Sequence, residues 1–286
     1  LFQRNEYNAT LTWEEKAPVS VARYAYDGVG ALNGEIYFVG GANTSSFSIA
    51  ERYDPATNQW ETLAPMATER YGCATAVLNG RIYAMGGGTN LGHGLTSMEI
   101  YDPQTGAWSA GTASPLAINH ATAITINDKI LVVGGQNELG SNNVVQEFDP
   151  TTNQWLQKAS MPTARHGLKL VLLEGKVWAI GGATNSLHLD KVEIYDPEAD
   201  SWTTGPSLLT PKYFPSAWVA NGMIYVAGGV DGSGNYLNTV EVFNPQTNQW
   251  TAAGSLPENK FVADATVVEG KVYVIAGRRS QGEYSD

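Results

Sequence analysis

Short apolar runs that end in glycine recur along the chain: EIYFVGG at 35–41, RIYAMGG at 81–87, KILVVGG at 129–135, KVWAIGG at 176–182, MIYVAGG at 223–229 and KVYVIAG at 271–277. None alternates apolar with polar residues, so each predicts a strand buried on both faces. A strand of small and β-branched residues precedes each run, as in CATAVL at 73–78. The two are joined by Asn33-Gly34, Asn79-Gly80, Glu174-Gly175, Asn221-Gly222 or Glu269-Gly270. Such pairs accept positive φ at both turn residues and predict tight hairpins. A third strand follows, as in VEIYD at 192–196, and then a turn opened by Asp-Pro, where proline presets φ and aspartate caps the turn. A fourth strand begins at tryptophan. Each unit reads as a four-stranded antiparallel sheet.

The units keep strict time. Trp13, Trp60, Trp108, Trp155, Trp202 and Trp250 are spaced by 47, 48, 47, 47 and 48 residues. A period in the forties, made of short strands, is the signature of propeller blades. The octets YDPATNQW (53–60), YDPQTGAW (101–108), FDPTTNQW (148–155), YDPEADSW (195–202) and FNPQTNQW (243–250) mark the third-to-fourth-strand hairpins, with a faint copy, EYNATLTW, at 6–13. Their aromatic ends are expected to pack between blades and carry no chemistry. The last repeat stops before a third strand, whereas the N-terminus supplies one and a fourth. Residues 1–16 and 261–286 are therefore expected to share a closing blade. The expected fold is all-β: one six-bladed β-propeller over residues 1–286, four antiparallel strands per blade, its edges hidden by closure.

Composition narrows the partners. The formal net charge is −11, which argues against nucleic acid and against an anionic membrane surface. No apolar run approaches the ~18 residues of a membrane span. Cys73 is the single cysteine, so no internal disulfide forms; this favours a reducing, cytoplasmic compartment and leaves secretion open. The chain opens on Leu1 rather than Met, which points to removal of a preceding segment, and Asn8 and Asn43 lie in glycosylation triplets. A closed ring is expected to be a monomer.

Alternating strand direction places the N-G and Asp-Pro turns on one face, and the loops after glycine with the inter-blade segments on the other. The second face varies in sequence: ANTSSFS, GTNLGHGLTS, QNELGSNN, ATNSLHLD, VDGSGNYLN and RRSQGEY. Small polar residues with scattered aromatics make an adaptable binding surface. Aligning the inter-blade segments gives a column of Arg23, Arg70, Ile118, Arg165, Lys212 and Lys260, with Arg23 in register when one extra residue is allowed. The next column reads Tyr24, Tyr71, Asn119, His166, Tyr213 and Phe261, with His120 beside it. Cations beside rings at the channel mouth, recurring in register, are expected to bind a ligand. The competing reading is that these cations balance nearby acids such as Glu69 and Glu258.

The glycine doublet, the Tyr-Asp-Pro, the tryptophan and the period together resemble the kelch repeat over essentially the whole chain. Ala276-Gly277 and Glu6-Tyr7-Asn8 depart from it, both in the closing repeat. In kelch adaptors an Arg-x-Gly slot before the first strand lines a peptide pocket. Arg70-Tyr71-Gly72 and Arg165-His166-Gly167 match it, and Arg23-Tyr24-Ala25 matches with Ala for Gly. The resemblance implies a non-catalytic binding propeller whose partner is a protein or acidic peptide, or a sugar acid.

The resemblance also admits a carbohydrate-active, mutarotase-like or oxidase-like enzyme working in the central channel, with Asp27, Glu69, His120 and Asp264 as acid/base candidates, and a scaffold domain of a larger protein. No catalytic set, cofactor or metal site is legible. His93, His120, His166 and His188 form no evident Tyr-His pair, Cys73 reads as inert, and DGSGNYLN lacks the glycine and glutamate of a calcium loop.

Overall fold

The computed structural model describes residues 2–5, 12–90, 94–280 and 283–284. The degenerate hairpin Glu6-Tyr7-Asn8, the triplet at Asn8, and His93 lie outside the described residues.

The first blade pairs Val29–Leu32, Glu35–Val39, Ala50–Asp54 and Gln59–Thr62 in that order, all antiparallel. The same order is built over 74–111, 122–157, 169–204 and 216–255. The expectation of a six-bladed propeller is thereby corrected: five blades fold from continuous chain. The remaining four-stranded sheet is a composite, not a sixth repeat. It joins Asp264–Val268 and Lys271–Ile275 to Phe2–Asn5 and Trp13–Glu15, with Phe2 opposite Val274. After Ile275 the chain turns to a separate pair, Arg278–Ser280 with Glu283–Tyr284, and Phe2–Asn5 and Trp13–Glu15 complete the ladder. Its six innermost strands neighbour one another in a closed circuit around an axis, with Asp264–Val268 beside Val29–Leu32.

The apolar core is divided among the contacts between sheets. One cluster joins Tyr83 and Met85 to Ile130 and Phe148 of the next blade; another joins Tyr53 and Phe38 to Tyr273 of the composite sheet. The repeated tryptophans span these contacts. Each indole N–H donates to a backbone carbonyl ending the preceding sheet: Trp60 to Ala17, Trp108 to Ala64, Trp155 to Thr112, Trp202 to Ala159, Trp250 to Pro206 and Trp13 to Ser255, all within 2.8–3.0 Å. A buried indole needs a partner for its single donor, and the ring supplies apolar area beside it.

The glycine doublet has a specific cause. A Cβ at Gly40, Gly134 or Gly228 would stand 2.5, 2.6 or 2.3 Å from the carbonyl oxygen of Arg70, Arg165 or Lys260 in the following inter-blade segment. The second glycine then donates its N–H to that same oxygen, as in Gly41 to Arg70 at 3.0 Å and Gly229 to Lys260 at 2.7 Å. Every blade is thus clamped to the next at the loop face.

Candidate functional site

The cation column does not face the channel mouth as expected. Arg23, Arg70, Arg165, Lys212 and Lys260 are at most 1% exposed. Each turns into its own sheet. The Arg70 guanidinium donates to the Gly86 and Ser97 carbonyls and meets Glu99 at 2.7 Å. Arg165 donates to the carbonyls of Gly181, Lys191 and Ala179 and meets Glu193 at 3.0 Å. Arg23 meets Glu51 at 2.7 Å, Lys212 meets Glu241 at 3.6 Å, and Lys260 meets Glu258 at 2.8 Å. These side chains cannot grip a partner's carboxylate, because their charge is spent inside the protein.

A signal for this was present in the sequence. Glu51, Glu99, Glu193 and Glu241 occupy the second place of Tyr-Asp-bearing third strands or their equivalents, in step with the cations. Where the cation column reads Ile118, that place reads Gln146, and both are neutral. Gln146 accepts instead from Ser114 Oγ at 3.0 Å. Matched charge in four blades and matched neutrality in one mark an internal pair.

The neighbouring aromatic column does reach the loop face. Tyr24, Tyr71, Tyr213 and Phe261 are half-buried there, and His166 is buried beneath. Between the columns and the channel runs a further position, of which the sequence showed only the glycines of the Arg-x-Gly slot and His120. Tyr26, Gly72, His120, Gly167, Phe214 and Val262 all have φ between 49° and 60°. Left-handed backbone suits Gly72 and Gly167, and it strains the other four. Peptide hydrogen bonds hold them in a girdle: His120 N–H to Gly72, Gly167 to His120, and Phe214 to Gly167, at 2.8–3.0 Å. The extra residue near Arg23 puts Tyr26, not Ala25, in this position.

The girdle aims rings across the axis. Tyr26 stacks on His120 at 4.8 Å between centroids and meets Phe214 edge-on at 5.4 Å; His120 and Phe214 are 5.1 Å apart. Tyr71, His166, Tyr213 and Phe261 extend this rosette, and Tyr236 stacks on Phe261 at 5.1 Å. The structure also makes a Tyr-His pair that residue order concealed, since His166 Nε2 lies 2.9 Å from the Tyr213 hydroxyl. Gln136 Nε2 donates to His120 Nδ1 at 2.9 Å, which leaves the His120 proton on Nε2. Burial, reinforced by His166, lowers the His120 pKa to about 3; burial, reinforced by His188, lowers that of His166 to about 4. Both rings are neutral members of the rosette at neutral pH. Beside it, Tyr24, Tyr26 and Tyr71 with Asn43, Ser45 and Asn90 line a recess of about 280 Å³. Glu69 accepts from Asn90 Nδ2 at 3.1 Å and stands apart from the channel acids.

Asp27 and Asp264 do meet, farther down the channel. Lys169 crosses from the fourth blade and places Nζ 2.5 Å from Asp27 and 2.6 Å from Asp264. Asp27 also accepts from Thr122 Oγ1 and the Ala123 N–H, and Asp264 from the Ala265 N–H. Burial and the Asp27 charge push Asp264 up to about 6 against the opposing pull of Lys169. The triad holds opposite walls of a cavity of about 250 Å³ together.

The chain matches the model of the KLHDC2/KLHL20/DRC7 kelch-repeats domain over residues 28–208, more than half its length, and the kelch motif over residues 211–257. It is similar to an F-box/kelch-repeat protein of Arabidopsis thaliana, 36% identical over 36% of this chain and 28% of that protein. It is similar to kelch repeat and BTB domain-containing protein 12 of Danio rerio, 32% identical over 43% of this chain and 23% of that protein. Kelch-like protein 35 of Mus musculus is 31% identical over 43% of this chain and 22% of its own. The alignments thus span about a quarter of the length of these relatives. The solved structure of YjhT superposes with a TM-score of 0.84 over 95% of each chain at 18% identity, a likeness of fold.

Proposed function

The chain belongs to the kelch-repeat family, and from that premise we propose that it is a non-catalytic protein-binding propeller that captures its partner on the loop face. The rosette of Tyr24, Tyr26, Tyr71, His120, Tyr213 and Phe261 carries this reading. Half-buried rings clustered at one mouth are an unusual thing to leave facing water, and rigid aromatic area is what interface centres are made of. The strained girdle supports it too, since backbone held at positive φ by a surrounding scaffold concentrates at ligand-binding places. The paired state of the channel acids argues against their use as acid/base groups. An acidic partner loses its support, because the cations expected to receive it are internal.

The test is affinity capture with the wild-type chain beside the Tyr71→Ala/Phe261→Ala variant, with mass-spectrometric identification. Proteins retained by the wild type and lost from the variant, with melting temperatures within a few degrees, are the expected result. Retention by both would place binding elsewhere.

A further inference from the structure

Off the axis, the loop face carries a groove of about 370 Å³ between the second and third blades. Leu116 and Ala117 of the inter-blade segment form one wall. The other is a small hairpin in which Gln136–Asn137 pairs with Gly140–Ser141. The hairpin is braced from both sides. Asn137 Oδ1 accepts the Leu139 N–H at 2.9 Å, Gly140 turns at φ 105°, and the Ser141 N–H donates to Asn185 of the fourth blade at 2.7 Å.

This bracing holds Leu139 in water. It is 93% exposed at the hairpin tip, and Leu116 across the groove is 44% exposed. Six large apolar side chains are exposed among the described residues, and four of them, Leu116, Leu139, Leu187 and Leu209, stand on the loop face. Scattered leucines need no explanation, but apolar walls facing each other across a cleft mark an interaction surface.

Charge selects the occupant. Among the described residues lining the groove, Glu138 is the only ionisable one, and the chain carries −11. The five column cations are buried against carboxylates, so none reaches across. The remaining polar lining is amide, from Asn119, Gln136 and Asn137, which suits the alternating donors and acceptors of an extended backbone. Gln136 also bonds His120, which makes the groove continuous with the rosette.

We propose that this groove anchors an apolar side chain of an extended peptide that is neutral or basic around the anchor, its backbone held by the amides and its basic neighbour met by Glu138. This rests on the loop-face reading above and names the chemistry of the partner.

Selection of random linear peptides displayed on phage, against the immobilised full chain, tests it. Enriched peptides are expected to share a leucine-like residue flanked by neutral or basic positions. Their affinity is expected to fall about tenfold to a hundredfold in Ala117→Trp, which fills the groove, and in Leu139→Asp, the weight of one buried side chain of that size. Glu138→Lys is expected to shift selection toward acidic flanks. Melting temperatures confirm that each variant is folded, and Leu139→Asp alters a side chain already in water. An acidic consensus on the wild type overturns the proposal. Peptides that ignore both groove variants yet are lost with Tyr71→Ala overturn it while leaving the loop-face reading intact. Peptides indifferent to all of these variants count against both. Failure to enrich any linear peptide also overturns it, and protein capture then decides the loop-face reading on its own.

Discussion

Arg70 and Glu99 meet at 2.7 Å with the guanidinium wholly out of water and the carboxylate nearly so. Glu99 also accepts the N–H groups of Ala67 and Thr68, so it ties the inter-blade segment to the third strand at two levels. Removing one partner leaves a buried charge without compensation, which costs about 3–5 kcal/mol. Arg70→Ile alone and Glu99→Gln alone are each expected to destabilise by about that much. The double variant copies Ile118 and Gln146 of the third blade, and it is expected to recover most of the loss. Denaturant unfolding of the four proteins gives the coupling energy. A double variant as unstable as the sum of the singles would show that the pair acts through something other than charge.

Gly134 and Gly80 share a left-handed backbone, at φ 66° and 72°, but differ in surroundings. A Cβ at Gly134 would meet the Arg165 carbonyl at 2.6 Å, whereas one at Gly80 would meet nothing within 4 Å. Gly80→Ala is expected to cost about 1 kcal/mol, from backbone strain alone. Gly134→Ala adds the separation of two blades and is expected to cost well beyond that. Equal melting temperatures for the two variants would refute the clamp.

Lys169 keeps two carboxylates of neighbouring sheets together. In Lys169→Met, Asp27 and Asp264 face each other without a cation, and strong destabilisation is expected at pH 7.5. The wild-type Asp264 pKa is already raised to about 6, so the folded protein holds this proton below that pH more tightly than the unfolded chain. Such a group adds stability at low pH and loses it as pH rises through 6. The variant exaggerates the effect, and its melting temperature is expected to recover on acidification toward pH 5. A variant whose deficit is the same at both pH values would exclude carboxylate repulsion as the cause.

His120 and His166 work in the opposite direction. Their folded pKa values, about 3 and about 4, lie below the ordinary 6.5, so the unfolded chain binds more protons across that window. Stability present above pH 6.5 is lost as pH falls toward those values. Two such groups against one Asp264 give a net loss on the acid side. His120→Phe keeps a ring in the rosette and removes the larger of the two shifts. Its melting temperature is expected to fall less than that of the wild type between pH 7.5 and pH 5. An unchanged slope would mean that His120 is not held neutral by burial.

Much of this molecule was written in its sequence because the determinants are local. The apolar runs, the Asn-Gly turns and the tryptophan period act within one repeat, and their recurrence specified blade content and the aromatic contacts. The count of repeats did not give the count of blades: five fold from continuous chain, and the remaining sheet is a composite of both chain ends. The third-blade turn, Asn127-Asp128, adopts φ 51° and 56° without glycine and escaped the pattern for the same local reason that Asn and Asp tolerate that backbone.

What tertiary structure decided was direction and distance. The cation column was legible as a column, but not whether Arg70 and Arg165 point at solvent or into their own sheets. Their glutamate partners stand 28 or 29 residues on, and only the ladder brings them near. The rosette depends on six left-handed residues converging from separate repeats, and the Asp27–Lys169–Asp264 triad brings Lys169 to a carboxylate 142 positions away in the chain. Periodicity specifies the unit because its forces are short in range. Closing the units into a circle creates the neighbours that a linear reading does not contain, and the aromatic rosette of the loop face is made of those neighbours.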